Sequence, residues 1–321
     1  MKRSAWFDAI NKFWWYRHLP KVLLLLGLII FFLWYPGQGY YAVTDFGQVL
    51  PHWSSFLAPT PAPYPVNVTG IVPGSEISAT SVVVQDDLSG VYLWRRMSTM
   101  VLSPASTTKI VSALVVLDSM GLDDVVTVGE IKNNGQTIGL VTGEKITVEN
   151  LLYGMLIQSG NDAGYALASA YPGGTNAFIR AMNEKAADIH LSMSHFTNPV
   201  GYDDLNHYMT AENLVRLADV ALKNKILAKM VAIPQITISD VTHTRFHKLS
   251  NVNQLLGKIP GVAGIKTGWT EEAGENLVTL IERNGRKIII VVLHSRDRFG
   301  DTIKLIDWVF SNFQWQEFKS P

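Results

Sequence analysis

The sequence predicts an α+β fold, an antiparallel sheet assembled from the two ends of the chain with helices inserted between them. β-Branched runs stand early, at residues 79–85, and late, at 276–283 and 286–293, whereas the stretch between them repeats its apolar residues at helical spacing. Strands and helices do not alternate one by one, so a parallel sheet of βαβ units is excluded. A further observation sets the N-terminal end apart: an unbroken apolar run at 22–35 (VLLLLGLIIFFLWY) precedes everything that reads as globular.

Composition narrows the class of function. The 321 residues can bury a sizeable core. Lys+Arg and Asp+Glu both number 27, so no net charge favours nucleic acid, and none is expected as a partner. A hydrophobic content of 47% against 17% charged residues excludes disorder for most of the length. Cysteine is absent, which removes thiol nucleophiles, disulfides and cysteine-based zinc sites, and suits a wall-facing compartment.

Lys2, Arg3, Lys12, Arg17 and Lys21 precede the apolar run against a single Asp8, and no further charge occurs until Asp45. The neutral stretch 22–43 therefore reaches the roughly 20 residues a bilayer requires. Trp34, Tyr35, Tyr40 and Tyr41 suit its outer interface, and the basic side stays in the cytoplasm. The expected organisation is a cytoplasmic basic segment (1–21), an uncleaved transmembrane signal anchor (22–43), a Pro-rich linker (44–75) and a folded domain (76–318). The domain then sits outside a cell membrane that the chain crosses once. Secretion after signal cleavage is the alternative, disfavoured because no Ala-x-Ala site follows the run. Within the linker, the repeated prolines from Pro59 to Pro65 favour extended polyproline conformation.

Within the domain, 79–85 (ATSVVVQ) is bounded by Asp86-Asp87 and Ser89-Gly90 and reads as a strand entering a hairpin with 91–96. Residues 107–120 place Ile110, Val111, Leu114, Val115 and Leu117 at helical spacing, with enough apolar content to be buried on most sides. Helices are also predicted at 147–171, opened by Thr147, at 175–187, and at 210–223 with Thr210 as N-cap. The two late strands are joined by Asn284-Gly285, the strongest short hairpin signal in the chain. A last helix is predicted at 301–313.

Three short patterns carry chemistry. In Ser106-Thr107-Thr108-Lys109, the serine and lysine are three apart on a helix and share a face, with Cβ atoms about 5–6 Å apart. A serine needs a base to become a nucleophile, and a lysine serves if burial or nearby cations lower its pKa. Pro104-Ala105 puts Ser106 at the helix start, where free N–H groups favour a developing oxyanion. Taken alone, Ser106 is as readily a cap and Lys109 a solvated surface charge. Ser159-Gly160-Asn161 follows an apolar helix; its hydroxyl suits proton relay and its amide suits a carbonyl or the lysine, although a plain helix break reads the same way. Lys266-Thr267-Gly268 lies in a glycine-punctuated run on a presumed strand edge, where a cation and a hydroxyl suit a carboxylate. All three together, in this order, resemble the active-site set of penicillin-binding proteins and class A β-lactamases, Ser-x-x-Lys, Ser-Asp-Asn and Lys-Thr-Gly. His243 and His247 stand four apart in a stretch, 242–246, that reads as extended, so both face one side with no third ligand. No metal and no cofactor is expected.

The sequence from about 77 to 313 resembles the D-alanyl-D-alanine carboxypeptidase family, the low-molecular-mass penicillin-binding proteins. The resemblance rests on the three motifs and on Leu151-Leu152-Tyr153-Gly154-Met155-Leu156-Ile157-Gln158, Phe196-Thr197-Asn198-Pro199, Gly201-Tyr202-Asp203-Asp204 and Glu272-Ala273-Gly274. It implies a β-lactamase/transpeptidase-like fold, a sheet flanked by helices plus a helical subdomain. The implied activity is removal of the terminal D-alanine from peptidoglycan stem peptides through an acyl-enzyme on Ser106, with β-lactam antibiotics as covalent inhibitors. By this resemblance Lys109 is the general base and Ser159 passes a proton to the leaving group. Asn161 positions the peptide, and Lys266, Thr267 and Gly268 bind it. The backbone N–H groups of Ser106 and Trp269 form the oxyanion hole, and Arg298, rather than Arg296, recognises the terminal carboxylate.

Gly160 stands where class A β-lactamases have aspartate, and no Glu-x-x-Leu-Asn sequence is present, which counts against a β-lactamase. Many carboxypeptidases of the family carry a further C-terminal β-rich domain, whereas endopeptidase members lack it. With the sequence ending at Pro321, cleavage of peptidoglycan cross-links stands as the alternative activity. A non-catalytic wall-binding protein of the same fold is the rival of a different class, and the intact motifs count against it. His294 occupies a position after the last strand where glycine is common in the family.

Overall fold

The computed structural model describes residues 4–34, 62–131 and 135–317, with backbone alone for 4–17. The chain divides into two units, Met1–Thr60 and Pro61–Pro321. In the first, helix α1 spans Ser4–Trp34 with Pro20 inside it. Its apolar side chains from Val22 onward stand exposed, Phe32 at 74% and Trp34 at 85%. No helix among the described residues is long and apolar enough to cross a membrane. Of the expected anchor, Val22–Trp34 alone falls short of about 20 residues, and residues 35–43 lie outside the described residues, as does 44–61 of the expected linker.

The second unit is organised by a five-stranded antiparallel sheet. Its strands are β2 (Ser81–Asp86), β3 (Tyr92–Arg96), β8 (Val262–Thr270), β9 (Gly274–Arg283) and β10 (Arg286–Ser295), in the order β3-β2-β10-β9-β8. As expected, the two ends of the chain build it. β9 and β10 turn at Asn284 and Gly285, both with positive φ (52° and 70°), as a two-residue hairpin requires. Both faces of the central strands are buried, so β10 is apolar without alternation: Ile289, Val291 and Leu293 enter one core, Ile288, Ile290 and Val292 the other.

The second of these cores is covered by helix α8 (Arg298–Asn312) through Leu305, Ile306 and Val309. The first is covered by the inserted helices. A 3₁₀ turn (Ala105–Thr108) leads into α2 (Lys109–Ser119), followed by α3 (Val148–Ile157), α4 (Asn161–Ala170), α5 (Gly174–Asp188), α6 (Ala211–Lys223) and α7 (Lys225–Val231). The caps fall where the sequence places them: Asn150 N–H donates to Thr147 Oγ1 (3.3 Å) and Asn213 N–H to Thr210 Oγ1 (3.1 Å).

Several expectations are corrected. The single helix expected over 147–171 is two, broken at Ser159 (φ 62°) and Gly160. A Cβ on Gly160 would lie 2.8 Å from Ile138 Cγ2 and 2.9 Å from Asp162 Oδ1, so a larger residue there would require these neighbours to shift. The linker expected to run to residue 75 overlaps the folded unit, because β1 (Tyr64–Asn67) pairs antiparallel with β11 (Phe313–Gln316). Two small hairpins were not foreseen: β4 (Val125–Thr127) with β5 (Lys145–Thr147), and β6 (Gln235–Ser239) with β7 (Phe246–Ser250). The stretch expected to be extended around 242–246 begins as the β6–β7 turn. His243 lies there with φ 54° and Nδ1 2.8 Å from Ser239 Oγ, while buried His247 sits in β7 with Nε2 2.7 Å from Glu144 Oε1. The two rings therefore lie in separate environments.

Candidate active site

The nucleophile turn is wedged between two glycines. A Cβ on Gly201 would lie 1.8 Å from Ala105 O, and one on Gly268 would lie 2.9 Å from Pro104 O and 3.1 Å from Ser106 N. Both neighbours can thus press against the 3₁₀ turn, and Ala105 is held there at φ 48°, a conformation that non-glycine residues adopt only where the surroundings impose it. Ser106, half-buried, faces a cleft of about 820 Å³ between the helical insertion and edge strand β8.

Lys109 is fully buried at the start of α2. Its Nζ lies 2.7 Å from Ser106 Oγ, 2.7 Å from Asn161 Oδ1 and 2.9 Å from the Val200 carbonyl oxygen. Burial, and next the Lys266 charge, hold its pKa well below the ordinary lysine range. The three partners suit the neutral amine. Its two N–H groups stay on the amide and carbonyl oxygens, which only accept, and its lone pair is left for the serine hydroxyl. That is the arrangement of a base ready to take the Ser106 proton.

Ser159, buried at the α3–α4 break, accepts from Lys266 Nζ at 2.8 Å, and Lys266 also donates to Thr267 O at 3.0 Å. Burial and the neighbouring Arg298 push the Lys266 pKa down to about 7. Lys266 is only 2% exposed and lies behind the Ser159 hydroxyl, which does line the cleft. Thr267, Gly268 and Arg298 do line the cleft, and Trp269, 62% exposed, forms its rim. Arg298 Nη1 donates to Gly268 O at 2.8 Å, whereas Arg296 is exposed, which separates the two candidate arginines. The predicted site residues thus converge, with Asn161 bridging Lys109 and the Tyr202 hydroxyl (3.3 Å).

Sequence reasoning missed the parts that hold this set in place. Asp162 accepts from the N–H groups of Ile138, Gly139 and Leu140, tying the loop beyond Gln136 to the start of α4. The Val200 carbonyl and Tyr202 come from a turn after Asn198-Pro199. Asn198 Oδ1 accepts from Val200 N (3.2 Å), Gly201 N (2.7 Å) and Tyr202 N (2.9 Å). The Asn-Pro-x-Gly pattern was a legible turn signal; that its carbonyl would reach Lys109 was not.

A serine nucleophile, a buried lysine base and a second serine at a helix break, bonded to a lysine of the edge strand, define an active-serine acyl-transfer enzyme of the transpeptidase-like fold. The profile of a family described as D-alanyl-D-alanine carboxypeptidase matches residues 67–297. D-alanyl-D-alanine carboxypeptidase DacF of Bacillus subtilis is 30% identical over 74% of this chain, a match that spans 63% of that relative. D-alanyl-D-alanine endopeptidase of Pseudomonas aeruginosa is 31% identical over 73% of this chain and 78% of its own length. The crystal structure of the Streptomyces K15 DD-transpeptidase superposes with a TM-score of 0.71 at 32% identity, covering 75% of this chain and 99% of that one. The chain belongs to the D-alanyl-D-alanine carboxypeptidase family.

Proposed function

We propose that the chain is a membrane-anchored serine D,D-carboxypeptidase that removes the terminal D-alanine from peptidoglycan stem peptides. One observation carries the reading: Lys109 Nζ, buried, touches the Ser106 hydroxyl and two obligate acceptors. Ser106 Oγ attacks the penultimate D-alanine carbonyl while Lys109 takes its proton. The oxyanion develops at the helix start, against the backbone N–H groups of Ser106 and Trp269. The C–N bond then breaks, Ser159 relays a proton to the departing D-alanine, and water hydrolyses the acyl-enzyme. Arg298, beside the cleft at Gly268, suits the terminal carboxylate. A β-lactam acylates the same serine, but its leaving group stays tethered.

The exposed apolar surface of α1 and its basic flank support a single-pass anchor over residues 22–43, with residues 1–21 cytoplasmic and the catalytic domain outside. Fluorescent penicillin should label the protein in a carbonate-resistant membrane pellet, and Ser106→Ala should abolish the label. A wild type that never labels sinks the enzyme reading; label in the soluble fraction sinks the anchor. Endopeptidase action is the second reading, favoured by the Pseudomonas aeruginosa relative. Release of D-alanine from a pentapeptide, against cleavage of a cross-linked dimer, read by mass, separates the two.

A further inference from the structure

His207 lies outside the cleft, is 1% exposed, and no step of the proposed reaction uses it. It nonetheless joins the two segments that make the Ser106–Lys109 pair work. Its Nε2 is 2.8 Å from the hydroxyl of Thr108, the last residue of the nucleophile turn and the one before the base. Its Nδ1 faces the Thr197 backbone N–H at 3.0 Å, Asn198 Nδ2 at 3.2 Å and the Thr197 hydroxyl at 3.3 Å. A backbone N–H can only donate, so Nδ1 carries the lone pair and Nε2 the proton, which it gives to Thr108 Oγ1.

The consequence runs through Asn198. With Nδ2 held by His207 Nδ1 and by the Tyr202 carbonyl (3.1 Å), its amide can face only one way, and Oδ1 is left to gather the N–H groups of Val200, Gly201 and Tyr202. That gathering shapes the turn whose Val200 carbonyl accepts from Lys109. On the other side, Thr108 precedes Lys109 directly.

We infer that His207 is a positioning residue for acylation: as the Nε2–H tautomer it clamps the nucleophile turn to the 197–202 turn and seats the Val200 carbonyl on the Lys109 amine. The inference rests on Lys109 being the base for Ser106. Burial above all keeps the ring neutral, lowering its pKa to about 4. The charges around it come from Asp204 and Asp203, which oppose that shift, and from His195, which adds to it. The Phe196 ring meets it edge-on at 5.6 Å between centroids. Gln at this position can reproduce both bonds, donating to Thr108 and accepting from Thr197; Ala can do neither.

The test is stopped-flow acylation of the full chain by a fluorescent penicillin, resolving non-covalent Kd, acylation rate constant and burst amplitude for wild type, His207→Ala, His207→Gln and Thr108→Val. The expected result is an acylation rate constant lowered roughly ten- to hundredfold in His207→Ala and Thr108→Val, with Kd unchanged and substantial rescue by Gln, because small misplacements of reacting groups cost rate rather than binding. A structural role alone would shrink the burst amplitude and leave the rate constant of the remaining enzyme intact, and that result overturns the inference. So does a His207→Gln as slow as the alanine variant. Should His207→Ala fail to fold, Thr108→Val decides, and its acylating at the wild-type rate overturns the inference. A wild type that does not acylate at all would instead remove the serine-enzyme reading beneath it.

Discussion

At the scale of single residues, the chemistry depends on an ammonium group being made uncomfortable. Lys109 is buried among carbonyl oxygens and a hydroxyl, with Lys266 as its charged neighbour, so the neutral amine is the favoured form. Lys109→Met, which keeps the volume, should reduce acylation by roughly 10²–10⁴-fold, the range expected for losing a general base. Its pH signature is distinctive. The folded chain holds the Lys109 proton less tightly than the unfolded chain, so folding becomes more favourable as pH rises towards the ordinary lysine value of 10.5. The variant should show a smaller gain between about pH 8 and 10 in urea denaturation; an identical slope would mean that Lys109 is charged in the folded enzyme. Lys266 makes the same contribution from about pH 7 upward in both proteins.

At the scale of elements, the site is built from interruptions of regular structure. The break between α3 and α4 turns Ser159 and Asn161 towards Lys266 and Lys109, and a continuous helix would carry them past. The 197–202 turn reaches the nucleophile turn because Gly201, at φ 89°, has no Cβ to strike the Ala105 carbonyl. Gly201→Ala combines a conformational penalty with a direct clash and should cost on the order of 3 kcal/mol of stability. Its penicillin acylation should slow at least about tenfold. A melting temperature and labelling rate equal to wild type would show that the turn can move away without consequence. The sheet supplies the opposing wall. Gly268 lets β8 close on Ser106 N, and Arg298 at the start of α8 ties that strand's Gly268 carbonyl to the second layer.

At the scale of the whole folded unit, residues far apart in sequence are stapled together around Asp301. Its carboxylate accepts from Ser78 N (2.9 Å), Ser78 Oγ (2.7 Å), Ala79 N (2.8 Å) and Ser295 Oγ (2.7 Å), joining the approach to β2, the end of β10 and α8. Burial opposes its ionisation, but these hydrogen bonds outweigh it and hold the carboxyl below its ordinary value of 3.8. Their contribution is fully present above that value and is lost as pH falls through and below it. Asp301→Asn should therefore destabilise the unit by about 1–3 kcal/mol at pH 7 and flatten the acid side of its stability profile. A variant with an unchanged acid side would assign the staple to the serine and backbone groups alone.

Much of this was legible beforehand. β2, β9, β10 and the Asn284-Gly285 turn follow from β-branched runs and a dipeptide that tolerates positive φ, and the caps at Thr147 and Thr210 follow from local hydrogen-bonding chemistry. The motif residues were legible because catalysis restricts residue type and order more tightly than folding does. What only tertiary structure decided is where groups distant in sequence meet: the helix break at Ser159, the burial of Lys266 behind that serine, the pairing of β1 with β11, and the Asn198–His207 brace. Local pattern reports a residue's own backbone preference, whereas the pKa and hydrogen-bond partner of a buried group depend on neighbours that the chain brings together only by folding.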